Sequence, residues 1–486
     1  MSDVFITKIN KTEYPQAPFH PNSVFPEFAN TDIINSIDHD NEIYSAVRDI
    51  FYNLGFDKEN FGKSLWNPLK SFVIKGDKIL LKPNFVKGNH PLGNEGVLSM
   101  ITHASIMRPV IDYLLLATGD DCEIIIGDVP LQSSVWEEII TISCAKELVK
   151  YYDRENIKLL DMRREMAIFN EENVIVDKII TENRNEADYV VVDLGKDSAL
   201  SEISEFSNRL EITDYGFGTV PKHHNQNKNE YLIAGEILDA DCIINLPKMK
   251  THRKAGITCA MKNLVGINGD KSWIAHHRRG LPKNGGDEFE NFHLQTVLRE
   301  RFWNFIKTKK MGVKFATFLK KGYKTFIWRG KSFEEISMED NSPHYREGSW
   351  QGNDTIWRCI RDLNQILFYA DKKGDMKSEK QRKYLCIVDG ILSGEKEGPM
   401  EHLPKQTGLI LGGTNPVEID FAVAEIMGFD YHLIPSIDKA FSTEKYELIK
   451  KKPDEIEIES NCDNCHYQFQ TPKGWKNIYN TFKGNS

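Results

Sequence analysis

Residues 243 to 266, IINLPKMKTHRKAGITCAMKNLVG, open as an apolar strand and then alternate polar side chains with small or apolar ones. Six of its polar residues fall within nineteen positions: Asn245, Lys248, Lys250, His252, Lys262 and Asn263. Lysines held close together repel one another, and a phosphate, carboxylate or sulfate would neutralise them. Crowding could also lower one lysine pKa and supply a base or nucleophile. The segment predicts an anion-binding site, with a catalytic lysine or an exposed basic loop as alternatives.

The local structure of this segment decides where its side chains point. If residues 248 to 252 stay extended, Lys248, Lys250 and His252 project to one side, because side chains in a strand repeat every two residues. A helical stretch over 258 to 264 would then carry Lys262 on its last turns. Both features place the basic groups directly after the strand that ends at Asn245.

Other strand ends carry polar residues of the same kinds. Lys82 and Asn84 follow one apolar run, while Asp128 and Asp389 end two others. Ligands of parallel α/β sheets bind beyond the carboxyl ends of the strands. We therefore expect Lys82 and Asn84 to join the anion site, and Asp128, Asp389 or His252 to act as proton donors or acceptors.

A metal-dependent hydrolase or isomerase is the second interpretation, with His103, His252, Asp128 or Asp389 as ligands. None of these residues has a diagnostic spacing, so we assign no metal ligand and leave a divalent metal open. The common metalloprotease, P-loop, nucleophile-elbow and dinucleotide-binding motifs are absent from the sequence.

Short apolar runs separated by helical segments predict an α/β fold, with a largely parallel or mixed sheet and helices on both faces. A basic, aromatic helical insertion interrupts this pattern. The predicted organisation is an extended N-terminal arm at 1–40, the first part of the core at 41–300, the insertion at 301–345, the second part of the core at 346–440 and a C-terminal tail at 441–486.

Residues 301–331 of the insertion contain ten Lys or Arg, eight aromatic residues and no Asp or Glu. A basic amphipathic helix with aromatic side chains is typical of proteins that bind an anionic membrane surface. The alternative is a helix packed on the core with a solvated basic face.

The whole chain has 486 residues and a net charge of −9, which argues against general nucleic-acid binding. We find no apolar run long enough to span a membrane and no secretory signal. A cytoplasmic location, peripheral at the inner membrane face, is expected. Six of the eight cysteines are scattered singly, and we read them as reduced thiols: Cys122, Cys144, Cys242, Cys259, Cys359 and Cys386. Cys462 to His466 has C-x-x-C-H spacing; we interpret it as fortuitous, with zinc, redox or haem roles as alternatives.

Taken together, several motifs over roughly residues 70 to 430 resemble the domain-of-unknown-function family 362 (DUF362). The resemblance implies an unassigned biochemical role. Many relatives carry ferredoxin-like iron–sulfur clusters, but this chain lacks the C-x2-C-x2-C-x3-C run, so none is expected. Residues 348–371 look like a subgroup from bacterial surface-polysaccharide gene clusters. The motifs are Lys82-Pro83-Asn84, Gly127-Asp128, Asn245 to His252, Lys262 to Gly266, Asp389 with Gly398-Pro399, and Asn415 to Asp420.

The leading functional hypothesis is an enzyme for a phosphorylated or other anionic sugar-type substrate, in surface-polysaccharide biosynthesis. The metal-dependent enzyme is one alternative. A non-catalytic, membrane-associated scaffold that docks through residues 301–331 is the other.

Overall fold

A mixed sheet of ten strands organises the computed structural model, which describes residues 2–169, 175–212, 219–291, 347–442 and 445–479. Three small two-stranded sheets lie outside it: β5 with β6, β7 with β9, and β8 with β13. The strands are β1 (Val4–Lys8), β2 (Lys78–Pro83), β3 (Glu123–Asp128), β4 (Ile157–Asp161), β5 (Glu165–Phe169), β6 (Ile175–Ile180), β7 (Tyr189–Asp193), β8 (Leu210–Glu211), β9 (Glu230–Ala234), β10 (Cys242–Leu246), β11 (Lys248–His252), β12 (Gly256–Thr258), β13 (His277–Arg278), β14 (Lys383–Glu397), β15 (Glu401–Gly413) and β16 (Ile458–Ser460).

The centre of the large sheet is parallel, and one flank is antiparallel. Its strand order is β16-β1-β15-β14-β10-β2-β3-β4. Strands β14, β10, β2, β3 and β4 are parallel to one another, whereas β15 runs antiparallel to both β14 and β1. The short strand β11 continues beside β14 and pairs with β12.

Helices connect the strands and cover the sheet. They are α1 (Glu42–Asn53), α2 (Gly93–Leu98), α3 (Met107–Thr118), α4 (Trp136–Ile142), α5 (Ala145–Tyr152), α6 (Val220–His223), α7 (Gly235–Asp239), α8 (Ala260–Asn263), α9 (Ile356–Tyr369), α10 (Pro416–Met427) and α11 (Pro435–Asp438). Within the part of the chain that the structure describes, no helix is long and apolar enough to cross a membrane.

Alternate side chains of the central strands enter two different hydrophobic cores. On β2, Ile79 and Leu81 pack in the core that contains α1 and α3, whereas Leu80 packs with α9 and α10. This alternation is the period of two that a strand imposes. The prediction of an α/β fold with helices on both faces is confirmed. The predicted insertion at 301–345 lies outside the described residues.

Both ends of the chain contribute strands to the sheet. Strand β1 lies within the predicted N-terminal arm and pairs with β15, and β16 of the predicted C-terminal tail pairs with β1. Each of these pairings joins segments that are far apart in sequence, so local patterns gave no sign of them. The arm and tail are thus extended but not separate from the core.

A buried ion pair anchors α3 to the segments around it. Arg108 Nε lies 2.8 Å from Asp112 Oδ2, and neither side chain reaches solvent. The hydroxyls of Tyr44 and Tyr152 also donate to Asp112, at 2.8 and 2.6 Å. The carboxylate therefore holds α1, α3 and α5 together.

Replacing Asp112 with alanine leaves Arg108 buried without its carboxylate. We expect the free energy of unfolding to fall by about 3–5 kcal/mol, which urea unfolding followed by circular dichroism measures. The matched control is Glu137→Ala, which breaks an exposed ion pair with Lys146. Surface pairs contribute little, so the control should change far less, and equal losses would contradict this role for Asp112.

Candidate functional site

The sheet register brings the predicted site residues to one edge. Asn245 on β10 lies opposite Lys82 on β2, and Lys248 on β11 lies opposite Asp389 on β14. Residues 248 to 252 are extended, as the sequence predicts. Strands β2 and β10 are parallel and end at this edge. The prediction that Asp389 ends a strand is wrong, because β14 continues past it to Glu397 and pairs there with β11 and β15.

The three asparagines form a chain of amide contacts under α8. Asn84 Nδ2 donates to Asn263 Oδ1 at 2.6 Å, and Asn263 Nδ2 donates to Asn245 Oδ1 at 2.7 Å. Asn245 Nδ2 in turn donates to the carbonyl oxygen of Ala260 at 2.9 Å. All three side chains are buried. Their contacts fix α8 against β2 and β10, so the structure gives them a positioning role.

Lys82 is neutralised by a buried carboxylate. Its Nζ lies 2.6 Å from Asp128 Oδ1, and both side chains are almost completely buried. The carboxylate of Asp128 also accepts the backbone N–H groups of Phe85 and Val129, at 2.6 and 2.7 Å. Burial lowers the pKa of Lys82, and Asp128 opposes that shift.

Lys248 belongs to a second buried pair that includes an unpredicted residue, Tyr14. Lys248 Nζ lies 3.0 Å from Asp389 Oδ2 and donates to the Tyr14 hydroxyl at 2.6 Å. Tyr14 donates to Asp389 Oδ1 at 2.8 Å, and the backbone N–H of His103 donates to Asp389 Oδ2 at 3.0 Å. The N-terminal segment therefore completes this part of the site.

The imidazole of His103 stacks on Tyr14, with 4.1 Å between ring centroids. Burial, with a further contribution from Lys248, lowers the pKa of His103 to about 3. Its Nδ1 is 2.8 Å from the Ser105 hydroxyl. The imidazole of His103 is therefore uncharged, and it borders the site beside Tyr14.

Lys250 contrasts with Lys82 and Lys248. Its side chain is fully buried, and Nζ donates to the carbonyl oxygen of Met100 at 2.6 Å. Among the described residues no carboxylate forms an ion pair with it. Burial, together with the charges of Lys262 and Lys248, holds the pKa of Lys250 well below its usual value.

Two further lysines lie close by without an ion pair to any described carboxylate. Lys262 is on α8 and partly exposed, and burial lowers its pKa to about 8. Lys271 is buried and donates to the carbonyl oxygen of Val265 at 2.9 Å. Burial, with Lys82 and Lys262 adding to it, lowers the pKa of Lys271 to about 7. The sequence prediction missed Lys271; its position just after the KNLVG motif is the signal that could have found it.

His252 lies at the end of β11 and is held by backbone contacts. Its Nδ1 accepts the N–H groups of Lys254 and Ala255, both at 3.1 Å. Burial, with nearby positive charges led by Lys262, holds the pKa of His252 well below its usual value. The ring is neutral, with its proton on Nε2.

The residues named for the metal-dependent alternative do not form a metal-binding group among the described residues. Across the described ranges, no group of three or more His, Cys, Asp and Glu side chains is placed to hold a metal ion. Asp128 and Asp389 each face a lysine. Cys462 and Cys465, whose spacing we interpreted as fortuitous, form a disulfide. The other six cysteines are free thiols, as predicted.

The fold and these residues define an α/β protein with a lysine-rich cluster at the carboxyl edge of its sheet. The family model described as "Domain of unknown function (DUF362)" matches residues 201–425, which supports the resemblance to that family. The matched region contains Lys250, Lys262 and Lys271, whereas Lys82 and Tyr14 precede it. The match does not address the surface-polysaccharide subgroup.

No curated protein matches the chain. A crystal structure of a Thermotoga maritima protein, a structural genomics target, is 11% identical, with a TM-score of 0.31. The match covers 75% of this chain and 55% of that one, so the chain spans about half the length of that protein.

The lowered pKa of Lys262 predicts how a neutral substitution changes stability. The pKa is about 8 in the folded protein and 10.5 as its reference value. Below pH 8 Lys262 is protonated in both the folded and the unfolded protein, and its buried charge destabilises the folded state in full. Between pH 8 and pH 10.5 the unfolded protein binds more protons than the folded one, so this destabilisation disappears as pH rises. We expect Lys262→Met to stabilise the protein at pH 7 by about 2 kcal/mol.

This gain should shrink toward zero as pH rises to about 10.5, the usual lysine pKa. Urea unfolding of both proteins in phosphate-free buffers across this pH range measures it. Lys158→Met is the control, because Lys158 is an exposed residue of β4 paired with Glu123. A gain that does not depend on pH would show that the charge of Lys262 is not its cause.

Proposed function

We propose that the protein is an enzyme that binds a phosphorylated or otherwise anionic sugar-type substrate at the carboxyl edge of the sheet. The observation that carries this proposal is the division among its lysines. Lys82 and Lys248 each face a buried carboxylate, whereas Lys250, Lys262 and Lys271 have no such partner among the described residues. The last three lysines would bind the anion.

The hydrogen-bonding capacity of Lys250 supports an anionic ligand. A protonated lysine has three N–H donors, and within the described part of the chain Lys250 Nζ donates one hydrogen bond, to the carbonyl oxygen of Met100. A buried donor without a partner costs about 1–3 kcal/mol. An anion with several acceptor oxygens removes this cost and also raises the lysine pKa. Groups with such perturbed pKa values are common at functional sites.

Asp128, Asp389 and His252 remain our candidates for proton transfer. Asp389 accepts a hydrogen bond from Tyr14 and lies beside Lys248. Burial and the charge of Asp389 hold the pKa of Tyr14 well above its usual value, so the hydroxyl keeps its proton and orients the carboxylate. Lys82 and Lys248 would then act mainly as counter-charges that fix the positions of the two carboxylates. Asn84, Asn245 and Asn263 would position α8, although the sequence suggested that they bind substrate directly.

We propose a role in surface-polysaccharide synthesis because residues 348–371 look like the subgroup from such gene clusters. The expectation of docking to an anionic membrane through residues 301–331 stays a prediction, since that segment lies outside the described residues. The cytoplasmic location of the protein is likewise a proposal.

Substitution of Lys250 or Lys262 with methionine tests the proposal. Each variant removes a charge without adding bulk, and we expect the affinity for a hexose 1-phosphate to fall by roughly tenfold or more, the effect of losing one charged hydrogen bond. Isothermal titration calorimetry on proteins shown to be folded by circular dichroism measures this. Lys158→Met should bind as wild type does. Unchanged affinity in folded Lys250→Met and folded Lys262→Met would contradict the proposal.

The affinity should also depend on pH. Lys271 and Lys262 lose their charge near pH 7 and pH 8, so hexose phosphate binding should weaken as pH rises from 7 to 9. We expect roughly a tenfold loss for each lysine neutralised. Titrations at constant ionic strength measure the profile. In Lys262→Met the part of the decline centred near pH 8 should be absent, and an unaltered profile in that variant would contradict the assignment.

A further inference from the structure

We propose that Cys462 and Cys465 form a reversible redox switch in the C-terminal segment of the chain. A dithiol, either a small molecule or a site on another protein, opens the disulfide between them. Opening of the bond loosens residues 461–475, which reach the loop after β11 through Trp475. This proposal concerns regulation of the chain and requires no particular substrate at the anion site.

The pair differs from the other cysteines in both oxidation state and surroundings. The other six cysteines are free thiols, and five of them are buried. Cys462 and Cys465 are joined, and the loop that carries them is exposed at Asp463, Asn464 and His466. In a cytoplasmic protein, as we propose this one to be, a disulfide is usually transient and serves catalysis or redox sensing. The surface position of the bond makes it open to such exchange.

The two sulfurs differ in accessibility. Cys462 is partly exposed, whereas Cys465 is only 9% exposed and packs in a hydrophobic core. An incoming thiolate therefore attacks Cys462 Sγ, and Cys465 leaves as a thiolate that takes a proton from water. The second thiol of the dithiol then attacks the mixed disulfide and releases Cys462. Two electrons and two protons pass to the cysteine pair, and the dithiol is oxidised to a disulfide.

The disulfide closes a loop between two anchored points. On one side, the backbone N–H of Asn461 donates to the carbonyl oxygen of Ile6 at 3.1 Å, and its Oδ1 accepts the N–H of Lys8 at 2.7 Å. On the other side, the backbone N–H of Tyr467 donates to the carbonyl oxygen of Ile426 at 2.6 Å. The first anchor is on β1 and the second is on α10. The bond therefore restrains the chain between this strand and this helix.

Beyond α10 the segment contacts β14 and then the loop after β11. Gln470 Nε2 donates to Glu395 Oε1 at 2.7 Å, and the indole N–H of Trp475 donates to the carbonyl oxygen of Arg253 at 2.8 Å. The Trp475 ring lies so close to Gly256 that a Cβ there would be 3.0 Å from it. These hydrogen bonds are only part-buried, and such segments open at lower free energy than core strands. A cross-link restricts the open conformations of a segment, so its removal favours opening.

Alkylation and mass spectrometry of the full chain test whether the bond is labile. The folded protein is incubated with or without excess reduced glutathione, quenched with acid, unfolded and alkylated. We expect six alkylated cysteines without glutathione and eight with it, the difference lying at Cys462 and Cys465. Two glutathione molecules supply the two thiols. Cys144 is also partly exposed but unpaired, so it should be alkylated in both samples.

Two results would overturn the proposal. Alkylation of all eight cysteines without glutathione would show that no bond forms. A bond that persists in excess glutathione and opens only when the protein is unfolded in dithiothreitol would be structural, because structural disulfides resist reduction by glutathione.

Hydrogen exchange of the oxidised and reduced full chain measures the effect on the C-terminal segment. We expect the amides of Tyr467 and Phe469, which are bonded to α10, to exchange roughly tenfold faster after reduction. Peptides from the loop after β11 should also gain exchange, whereas β2 should not change. Cys462→Ser should behave as the reduced form without any reductant, and Cys144→Ser should behave as oxidised wild type. Equal exchange in oxidised and reduced wild type would contradict the switch, whether or not the variants fold.

Discussion

The arrangement of the site depends on burying lysine charge at the carboxyl edge of the sheet. A buried charge without a partner is strongly destabilising, and two of the lysines meet a counter-charge at short range. Asp128 at the end of β3 meets Lys82 on the adjacent β2, and Asp389 on β14 meets Lys248 on the adjacent β11. A change in the order or register of these strands would separate both pairs. The strand order therefore determines which lysine is paired with which carboxylate.

The position of α8 follows from contacts that come from distant parts of the chain. Asp420 on α10 accepts the backbone N–H groups of Ala260 and Met261, at 2.6 and 3.1 Å. Burial raises the pKa of Asp420 to about 7. Four residues are too few to form a stable helix alone. Asp420 and the asparagine chain hold this turn in place and so set the position of Lys262.

Both termini of the chain reach the same edge of the sheet. Tyr14, from the N-terminal segment, inserts its hydroxyl between Lys248 and Asp389. In the C-terminal segment, the indole N–H of Trp475 donates to the carbonyl oxygen of Arg253, at 2.8 Å, in the loop after β11. The lysine cluster is enclosed by segments that the sequence pattern assigned to an arm and a tail. Enclosure lowers the local dielectric constant, which is the cause of the lowered lysine pKa values.

The sequence by itself determined the α/β fold, the polar residues at the ends of β2, β3 and β10, and the extended course of residues 248 to 252. These features are local, because the spacing of apolar residues along a short segment predicts whether that segment is a strand or a helix and where it ends. Only the tertiary structure decided which lysines are neutralised: Lys82 is paired, and Lys250 is not. It also added Lys271 and Tyr14 to the site. Tyr14 and Asp389 are 375 positions apart in sequence, and the energy of an ion pair or hydrogen bond depends on the distance between side chains, which the fold alone fixes.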